Sequence, residues 1–346
     1  MGSAKTMQAA VIEGAQTIRL QEWKTPSISE GEALIRVKYC GICGSDIHVL
    51  HGKHPTATFP VVPGHEFVGE LLDFKGTSSL ERGNLVAAQP VFSCGNCEPC
   101  AKGQDNVCQS LKVLGCHTDG GFAEYVKVPL RKVYALPDDI DLELAALIEP
   151  LAVAVHDVRR SGLKVGNSAL IIGGGPIGLL IAIVARHAGA DNVIISEISP
   201  YRSQAAEEMG FAAINPQAEN FNEELMQKTE GKGFDVAFEV SGSKPGITAA
   251  IDYAKITGTV MVVGMTSEPY PVNLSKIFQK ELTLQGVRVH SQINYIGAID
   301  LLKSGVLDKQ LRKLVSAVYP LKDVEKAFTF AQSGGDFFKI LVSMED

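Results

Sequence analysis

The sequence has no long apolar run, no excess of basic residues and no block of like charge. Its longest apolar run, from Ile177 to Ala185, is shorter than the about 20 residues that a membrane-spanning helix needs. Lys and Arg number 32 and Asp and Glu 39, so the formal net charge is −7. An acidic chain without a basic stripe or a secretory signal predicts a cytoplasmic protein with neither nucleic-acid nor membrane partners.

The chain is long enough for two domains, each with its own hydrophobic core. It has 346 residues, of which 45% are hydrophobic and 21% charged, as in ordinary globular proteins. We find no internal repeat and no low-complexity segment. Roughly the first 150 residues contain short β-type segments broken by Gly and Pro, with alternating runs at 32–39 and 122–128. They predict a β-rich domain.

After about residue 160 the pattern changes to strands that alternate with helices. Such alternation predicts a parallel, doubly wound sheet, so the chain belongs to the α/β class. A helix and a last apolar strand follow in the C-terminal segment. The predicted strands are 168–172, 192–196, 234–240, 259–263 and 339–343, and the predicted helices are 176–189, 200–209 and 295–303.

A glycine-rich turn follows the first strand of this second region. Gly173, Gly175 and Gly178, with Pro176 and Ile177 between the last two, satisfy G-x-G-x-x-G. This spacing allows a tight turn, lets the backbone approach a pyrophosphate and points the N-terminus of a helix at the phosphates. The pattern predicts a dinucleotide site, and a glycine turn without a ligand is the ordinary alternative.

Two residues near the end of the next strand bear on which dinucleotide binds. Glu197 comes 19 residues after Gly178. A carboxylate at this place accepts hydrogen bonds from ribose hydroxyls and repels a 2′-phosphate. Arg202 lies close by in the sequence, where an arginine can neutralise that phosphate. The sequence therefore favours NAD, with NADP as the alternative.

Four of the seven cysteines lie within 15 residues, at Cys94, Cys97, Cys100 and Cys108. Such a cluster in a chain with a cytosolic composition favours metal ligation over disulfides. Four thiolates bind one zinc ion tetrahedrally and leave no open position, so the site would be structural. An iron–sulfur cluster is an alternative, although the spacing matches no ferredoxin pattern. Four unligated thiols are the other alternative.

Three separate segments carry further metal-binding side chains: residues 43–48, 64–66 and 148–150. Each one alone has an ordinary interpretation, because single cysteines and histidines are mostly packed or surface residues. Together they supply one thiolate, one imidazole and one or two carboxylates, enough for a catalytic zinc with an exchangeable position. Whether they meet depends on the fold, which spacing does not establish.

The chain resembles the zinc-containing medium-chain dehydrogenases over nearly its whole length, and specifically their polyol, butanediol and threonine dehydrogenase branch. The resemblance rests on motifs in the family's order: C-G-I-C-G-S-D-I-H (40–48), P-G-H-E-F-V-G (63–69), the four-cysteine loop, D-G-G-F-A-E-Y (119–125) and I-E-P-L-A-V-A-V-H (148–156). It implies a GroES-like catalytic domain at 1–155, completed by 292–346, and a Rossmann domain at 156–291. The active site would lie in a cleft between them.

The resemblance also implies the ligands of the catalytic zinc. Cys43 is the thiolate ligand and His65 the imidazole ligand, while Glu66 is a ligand or an exchangeable partner. Glu149 occupies a position where many alcohol dehydrogenases have a second cysteine, and it would bind zinc directly or through water. Asp46 would support His65 or the loop from outside the ligand set, as ligating imidazoles usually require.

The resemblance further implies a proton path from Ser45 through the nicotinamide ribose to His48, whose side chain suits a shuttle. Ser45 as a simple turn residue is an alternative, and His51 and His54 could compete with His48. We expect additional contacts to the nicotinamide from a second group of residues. They are Val263, Gly264, Met265, Val287 and Arg288.

The predicted activity is zinc-dependent oxidation of a secondary alcohol, on a polyol, sugar alcohol or diol, to a ketone with NAD. Two zinc ions per chain are expected, one catalytic and one structural. Alternatives are an L-threonine 3-dehydrogenase-like enzyme, a general alcohol or aldehyde oxidoreductase, and a non-catalytic NAD-binding sensor. By resemblance the protein is a homotetramer or homodimer, and a strand near 282–289 would join two Rossmann sheets edge to edge.

Overall fold

A computed structural model describes residues 6–54, 56–266 and 268–345. The chain divides into two compact units. Unit 1 combines the residues up to Glu149 with those from Ser291 onward, and unit 2 consists of Pro150–His290. Within the described ranges no helix is both long and apolar enough to cross a membrane.

The first part of unit 1 is built mainly of short strands. They are β1 (Thr6–Gly14), β2 (Thr17–Lys24), β3 (Glu32–Gly41), β4 (Glu66–Phe74), β5 (Leu85–Ala88), β6 (Val91–Phe92), β7 (Lys112–Val113), β8 (Tyr125–Pro129) and β9 (Val133–Ala135). The α-helices of this part are α1 (Gly44–Leu50), α2 (Glu98–Ala101) and α3 (Leu142–Ala145), with 3-10 turns at Asp105–Val107 and Leu130–Lys132.

Helix α4 (Ile148–Ser161) leads into unit 2, where strands and helices alternate. The elements are β10 (Ser168–Ile172), α5 (Pro176–His187), β11 (Asn192–Ser196), α6 (Pro200–Glu208), β12 (Ala212–Ile214), α7 (Phe221–Gln227), β13 (Phe234–Glu239), α8 (Lys244–Tyr253), β14 (Ala254–Val262), α9 (Leu274–Gln279) and β15 (Thr283–Gly286). The chain then returns to unit 1 with α10 (Gln292–Lys303), α11 (Asp308–Arg312), β16 (Val315–Pro320), a 3-10 turn at Leu321–Asp323, α12 (Val324–Gln332) and β17 (Lys339–Ser343).

The main sheet of unit 1 has the strand order β16-β17-β3-β4-β5-β9, and β8 also pairs with β3. Strand β3 runs antiparallel to both β4 and β17, with Gly41 opposite Glu66 on one side and opposite Leu341 on the other. The core of this unit packs side chains from β1, β3, β4, β8 and α12. This register matters for function because it places the ends of β3, β4 and β17 together.

The sheet of unit 2 is parallel throughout, in the order β12-β11-β10-β13-β14-β15. Its central strands are almost entirely buried, which explains their continuous apolar runs, since helices cover both faces of such a sheet. The order reverses between β10 and β13, and in doubly wound sheets ligands bind at this switch point, beyond the carboxyl ends of the strands. The predicted α/β, doubly wound class is confirmed.

Most predicted elements occur within a few residues of their expected bounds. Two strands differ most: the one predicted at 259–263 begins already at Ala254, and the one predicted at 122–128 begins only at Tyr125. The first residues of the segment predicted at 122–128 pair with β1 instead. The carbonyl oxygen of Phe122 accepts a hydrogen bond from the Ala10 N–H at 2.8 Å, and Ala123 forms a β-bridge with Ala9. The chain therefore joins β1 before it joins β3, a change of partner that alternation alone does not reveal.

Candidate metal and cofactor sites

The register of β3 and β4 brings together three of the predicted zinc ligands. Cys43 follows the end of β3, His65 precedes β4, and Glu66 is the first residue of β4. One ligand atom from each of these side chains lies within 4.8 Å of the others. A thiolate, an imidazole and a carboxylate at this spacing form a donor set that zinc accepts, with a fourth position left for an exchangeable ligand.

Asp46 fixes the backbone around this cluster. Its carboxylate is fully buried and accepts hydrogen bonds from the N–H groups of Cys43 at 2.9 Å and Gly64 at 3.1 Å. Oδ1 of Asp46 also lies 3.6 Å from Nδ1 of His65. Burial lowers the pKa of His65, but the charges of Asp46 and Cys43 outweigh burial and raise it well above its usual value. The expected support of His65 by Asp46 is therefore electrostatic at this distance.

Ser45 and His48 lie on α1, which begins directly after Cys43. Oγ of Ser45 is 3.3 Å from Nε2 of His65, so the hydroxyl lies against the metal cluster. His48 is exposed and stands three residues further along the same helix. Residues at this spacing are neighbours on a helix surface. The two side chains thus extend from the cluster toward solvent.

Glu66 and Glu149 are both buried in unit 1, with 1% and 6% of their surface exposed. Burial raises the pKa of Glu66, the charge of Lys339 opposes that rise, and the charge of Glu149 adds to it. Glu149 does not belong to the close group formed by Cys43, His65 and Glu66. Its assignment as a zinc ligand stays a prediction. Lys339, which forms an ion pair with Glu66, is a site residue that sequence reasoning missed.

The four-cysteine loop of unit 1 has the geometry of a metal site. The Sγ atom of Cys97 lies 3.3 Å from that of Cys100 and 3.8 Å from that of Cys108, and Cys94 lies 4.0 Å from Cys100. Around a tetrahedral zinc with bonds of about 2.3 Å, sulfur atoms lie about 3.8 Å apart. The sulfur of Cys108 also accepts the N–H of Cys94 at 3.2 Å, which stabilises a thiolate. The side chains therefore fit a structural zinc.

Replacing Cys97 by serine should remove one zinc ion per chain and destabilise unit 1 by on the order of 4 kcal/mol, because a lost metal is among the few large single-residue effects. Urea unfolding and zinc content measured on the same preparation would check this. Cys116→Ser is the matched control, since this buried thiol lies outside both close groups. An unchanged zinc content in Cys97→Ser would contradict the structural assignment.

The glycine turn of unit 2 follows β10 and leads into α5. Gly173 has a φ of 105°, which favours glycine, and a Cβ there would lie 3.1 Å from the backbone nitrogen of Ser241. A Cβ on Gly178 would collide with the carbonyl oxygen of Gly173. Gly175 caps α5, with Pro176 as the first helical residue. The turn thus has the tight backbone and free helix N-terminus that a dinucleotide pyrophosphate requires.

Glu197 is buried beside this turn, directly after β11. Its carboxylate accepts three backbone hydrogen bonds, from Gly174 at 2.6 Å and from Ile198 and Ser199 at 2.8 Å each. Nη1 of Arg202 lies 3.8 Å from the position that a Cβ of Gly175 would take. The carboxylate of Glu197 and the guanidinium of Arg202 therefore both lie at the turn, as the sequence suggested.

The remaining predicted cofactor residues lie after β14 and β15. The N–H groups of Val263 and Gly264 both donate to the carbonyl oxygen of Glu239 at 2.9 Å, and that of Val287 donates to Val262 at 3.2 Å. Met265 is 72% exposed, and Arg288 is exposed as well. Their predicted contacts to a nicotinamide stay predictions. Glu239, buried at the switch point, was not singled out from the sequence, where it is one acid at the end of one strand.

Comparisons with known proteins identify the family. The GroES-like domain of alcohol dehydrogenases matches residues 29–138, and the zinc-binding dehydrogenase domain matches residues 176–304. The chain belongs to the zinc-binding alcohol dehydrogenase family. This confirms the predicted family, the GroES-like and Rossmann fold, and the dehydrogenase class of the enzyme.

Several relatives cover almost the entire chain. The 2-dehydro-3-deoxy-L-galactonate 5-dehydrogenase of Pseudoalteromonas atlantica is 38% identical over 97% of this chain and 98% of its own. A zinc-binding dehydrogenase from Sinorhizobium meliloti 1021, bound to NADP, is 32% identical with a TM-score of 0.91 and covers 98% of this chain and 100% of its own. An alcohol dehydrogenase from Escherichia coli CFT073, complexed with NADH, is 30% identical with a TM-score of 0.92, over 99% and 100%. Sorbitol and L-threonine 3-dehydrogenases are also among the relatives.

Proposed function

We propose that this chain oxidises a secondary alcohol of a polyol, sugar-derived alcohol or diol to a ketone, with NAD as the hydride acceptor and zinc as the resident metal. The observation that carries the proposal is the convergence of Cys43, His65 and Glu66 within 4.8 Å. The glycine turn with its buried Glu197 supports the choice of cofactor. Relatives that act on a sugar acid and on sorbitol support the substrate class.

The protein's own residues have distinct parts in this reaction. Cys43, His65 and Glu66, with Glu149 nearby, would hold the catalytic zinc, and Cys94, Cys97, Cys100 and Cys108 the structural one. When bound, zinc acts as a Lewis acid that lowers the pKa of the substrate hydroxyl, and NAD accepts the hydride. Ser45 would relay the hydroxyl proton, accepting it on Oγ as it gives up its own hydroxyl proton, since this Oγ lies beside His65. The exposed His48 would take up the relayed proton and release it to solvent.

The experiment that tests this function is a survey of alcohols with the zinc-loaded protein. Formation of reduced nicotinamide would be followed with NAD and with NADP on sorbitol, xylitol, galactitol, inositols, sugar acids, 2,3-butanediol, threonine and primary alcohols. Turnover of a polyol, sugar acid or diol that a chelator abolishes is the expected result. Zinc and NAD binding without turnover of any alcohol would contradict the proposed substrate class.

Two alternatives predict other outcomes in that survey. An L-threonine 3-dehydrogenase would prefer threonine, and it would need groups that recognise an ammonium and a carboxylate on the same substrate. A non-catalytic NAD sensor would bind NAD and turn over nothing. The non-catalytic sensor is disfavoured because the residues of the proposed zinc site and proton path are present: Cys43, His65, Ser45 and His48. The grouping of the cysteines at metal sites rather than in disulfides accords with a cytoplasmic location, which we also propose.

We also propose that the protein is a homo-oligomer, a dimer or tetramer, that pairs through β15. This strand is at the edge of the sheet in unit 2, where its backbone groups are open to pairing. Apolar side chains stand exposed on the preceding helix α9, Leu274 at 70% and Phe278 at 82%, and on β15 itself, Leu284 at 42%. Such a set of exposed apolar side chains is typical of a subunit interface.

The mass in solution tests this arrangement. The wild-type protein should have at least twice the chain mass of 37.0 kDa. Leu284→Lys should weaken the dimer by on the order of 10-fold or more, because a buried unpaired charge at an interface costs several kcal/mol. Val165→Lys, at a site that is 85% exposed elsewhere in unit 2, is the control. A wild-type protein of single-chain mass would overturn the proposal.

A further inference from the structure

Lys339 is a buried lysine beside the candidate catalytic site. It is the first residue of β17, and only 5% of its side chain is exposed. Its ammonium forms an ion pair with Oε2 of Glu66 and donates a hydrogen bond to the carbonyl oxygen of Ile42 at 3.1 Å. A buried charge requires a partner, so Lys339 and Glu66 depend on each other for their positions.

Strand β3 creates the space in which this pair forms. It runs between β17 and β4, and Gly41 stands opposite Leu341 on one side and opposite Glu66 on the other. A Cβ on Gly41 would collide with Oε2 of Glu66. The missing side chain thus leaves room for the carboxylate, and the lysine from the neighbouring strand reaches it there. Three strands together fix the orientation of one carboxylate.

We propose that Lys339 is a positioning residue: with Gly41, it holds Glu66 in place as the third protein ligand of the catalytic metal and so governs how long that metal stays bound. Lys339 engages one carboxylate oxygen, and the other remains for the metal. Its positive charge also offsets the negative charges that Cys43, Glu66 and Glu149 bring to the site. This inference rests on the proposed zinc function.

The two expected zinc sites allow a test within one molecule. Zinc-loaded wild type and variants would be challenged with an excess of a chromogenic chelator, and the release of each ion would be timed. Lys339→Gln should release one zinc about 10- to 100-fold faster, as is typical when a group that orients a metal ligand is removed. The other zinc should leave at the wild-type rate, because the four-cysteine loop does not include this lysine. The Cys43→Ser variant should keep only the zinc of the four-cysteine loop, so its release curve identifies that ion.

Three further variants separate positioning from mere packing. Lys339→Arg keeps the charge and should restore most of the retention. Gly41→Ala leaves the lysine intact but fills the space of the carboxylate, and should also speed release of the same zinc. Lys326→Gln is the control, because this exposed lysine pairs with Asp323 at 2.6 Å, an acid outside the metal cluster. Its release rates should equal those of the wild type.

A double-variant cycle asks whether Lys339 acts through Glu66. In a Glu66→Gln background, adding Lys339→Gln should have little further effect on release, because coupled residues are not additive. Two zinc ions in the wild type, with wild-type release from both Lys339→Gln and Gly41→Ala, would overturn the inference alone. A Cys43→Ser variant that keeps the full metal content of the wild type would instead overturn the proposed function.

Discussion

Replacing Cys43 by serine is expected to lower kcat/KM for the alcohol by on the order of 10³-fold, and to reduce the zinc content from two ions per chain to one. The Lewis acid of a metal site contributes several kcal/mol to stabilising charge in the transition state, and 1.36 kcal/mol corresponds to a tenfold change in rate. Serine has almost the same size as cysteine, so the β3–α1 connection should fold as before. The remaining zinc would be the one in the four-cysteine loop.

Cys40→Ala is the matched control for this variant. Cys40 lies three residues earlier at the end of β3, and it is fully buried. Burial raises the pKa of its thiol well above the usual value, so it stays protonated. It does not belong to the close group of Cys43, His65 and Glu66. Two zinc ions and nearly full activity are expected for this control, while an active Cys43→Ser enzyme would refute the catalytic assignment.

The parts of the site that are local in sequence were predictable from it. The glycine motif spans six residues, from the end of one strand into the start of the next helix, and the four cysteines lie within one short segment. In both cases the chemistry depends on neighbours along the chain, so spacing carries the information. The structure confirms that the turn joins β10 to α5 and that the four sulfur atoms cluster.

The catalytic cluster could be predicted only from the resemblance to a known family, because spacing does not show that Cys43 and His65 meet. What brings them together is the antiparallel register of β3 and β4, in which Gly41 faces Glu66. Register is set by which residues the sheet buries and by pairing between distant segments. A sequence pattern therefore indicates where a strand occurs, but it rarely indicates which strand lies beside it.

Lys339 shows this limit most clearly. It is separated from Glu66 by 273 positions, and in the sequence it is one lysine at the start of an apolar strand. Only the order β17-β3-β4 places its ammonium at the carboxylate. Phe122 gives a second example, since its carbonyl bonds to β1 and delays the start of β8. Both are consequences of which strands become neighbours, and neither leaves a local signal.

Replacing Glu197 by glutamine is expected to lower the ratio of kcat/KM with NAD to kcat/KM with NADP by on the order of 10²-fold. The carboxylate accepts N–H groups from Gly174, Ile198 and Ser199, and we propose that it also accepts from the ribose hydroxyls. Hydrogen bonds to a charged group contribute about 1.5–3 kcal/mol each. An amide in its place turns one acceptor into a donor that faces an N–H group, and it no longer repels a 2′-phosphate.

Arg202 determines how much NADP gains from that change. Its guanidinium lies next to the turn at Gly175 and can pair with a phosphate once the carboxylate charge is gone. Arg202→Ala in the Glu197→Gln background should therefore remove most of the gain with NADP while leaving the loss with NAD. Initial rates with both cofactors at saturating alcohol measure this directly, and thermal unfolding of each variant shows whether the turn still folds. An unchanged cofactor ratio in Glu197→Gln would mean that the buried carboxylate only supports the turn, and that the preference between NAD and NADP arises from other residues.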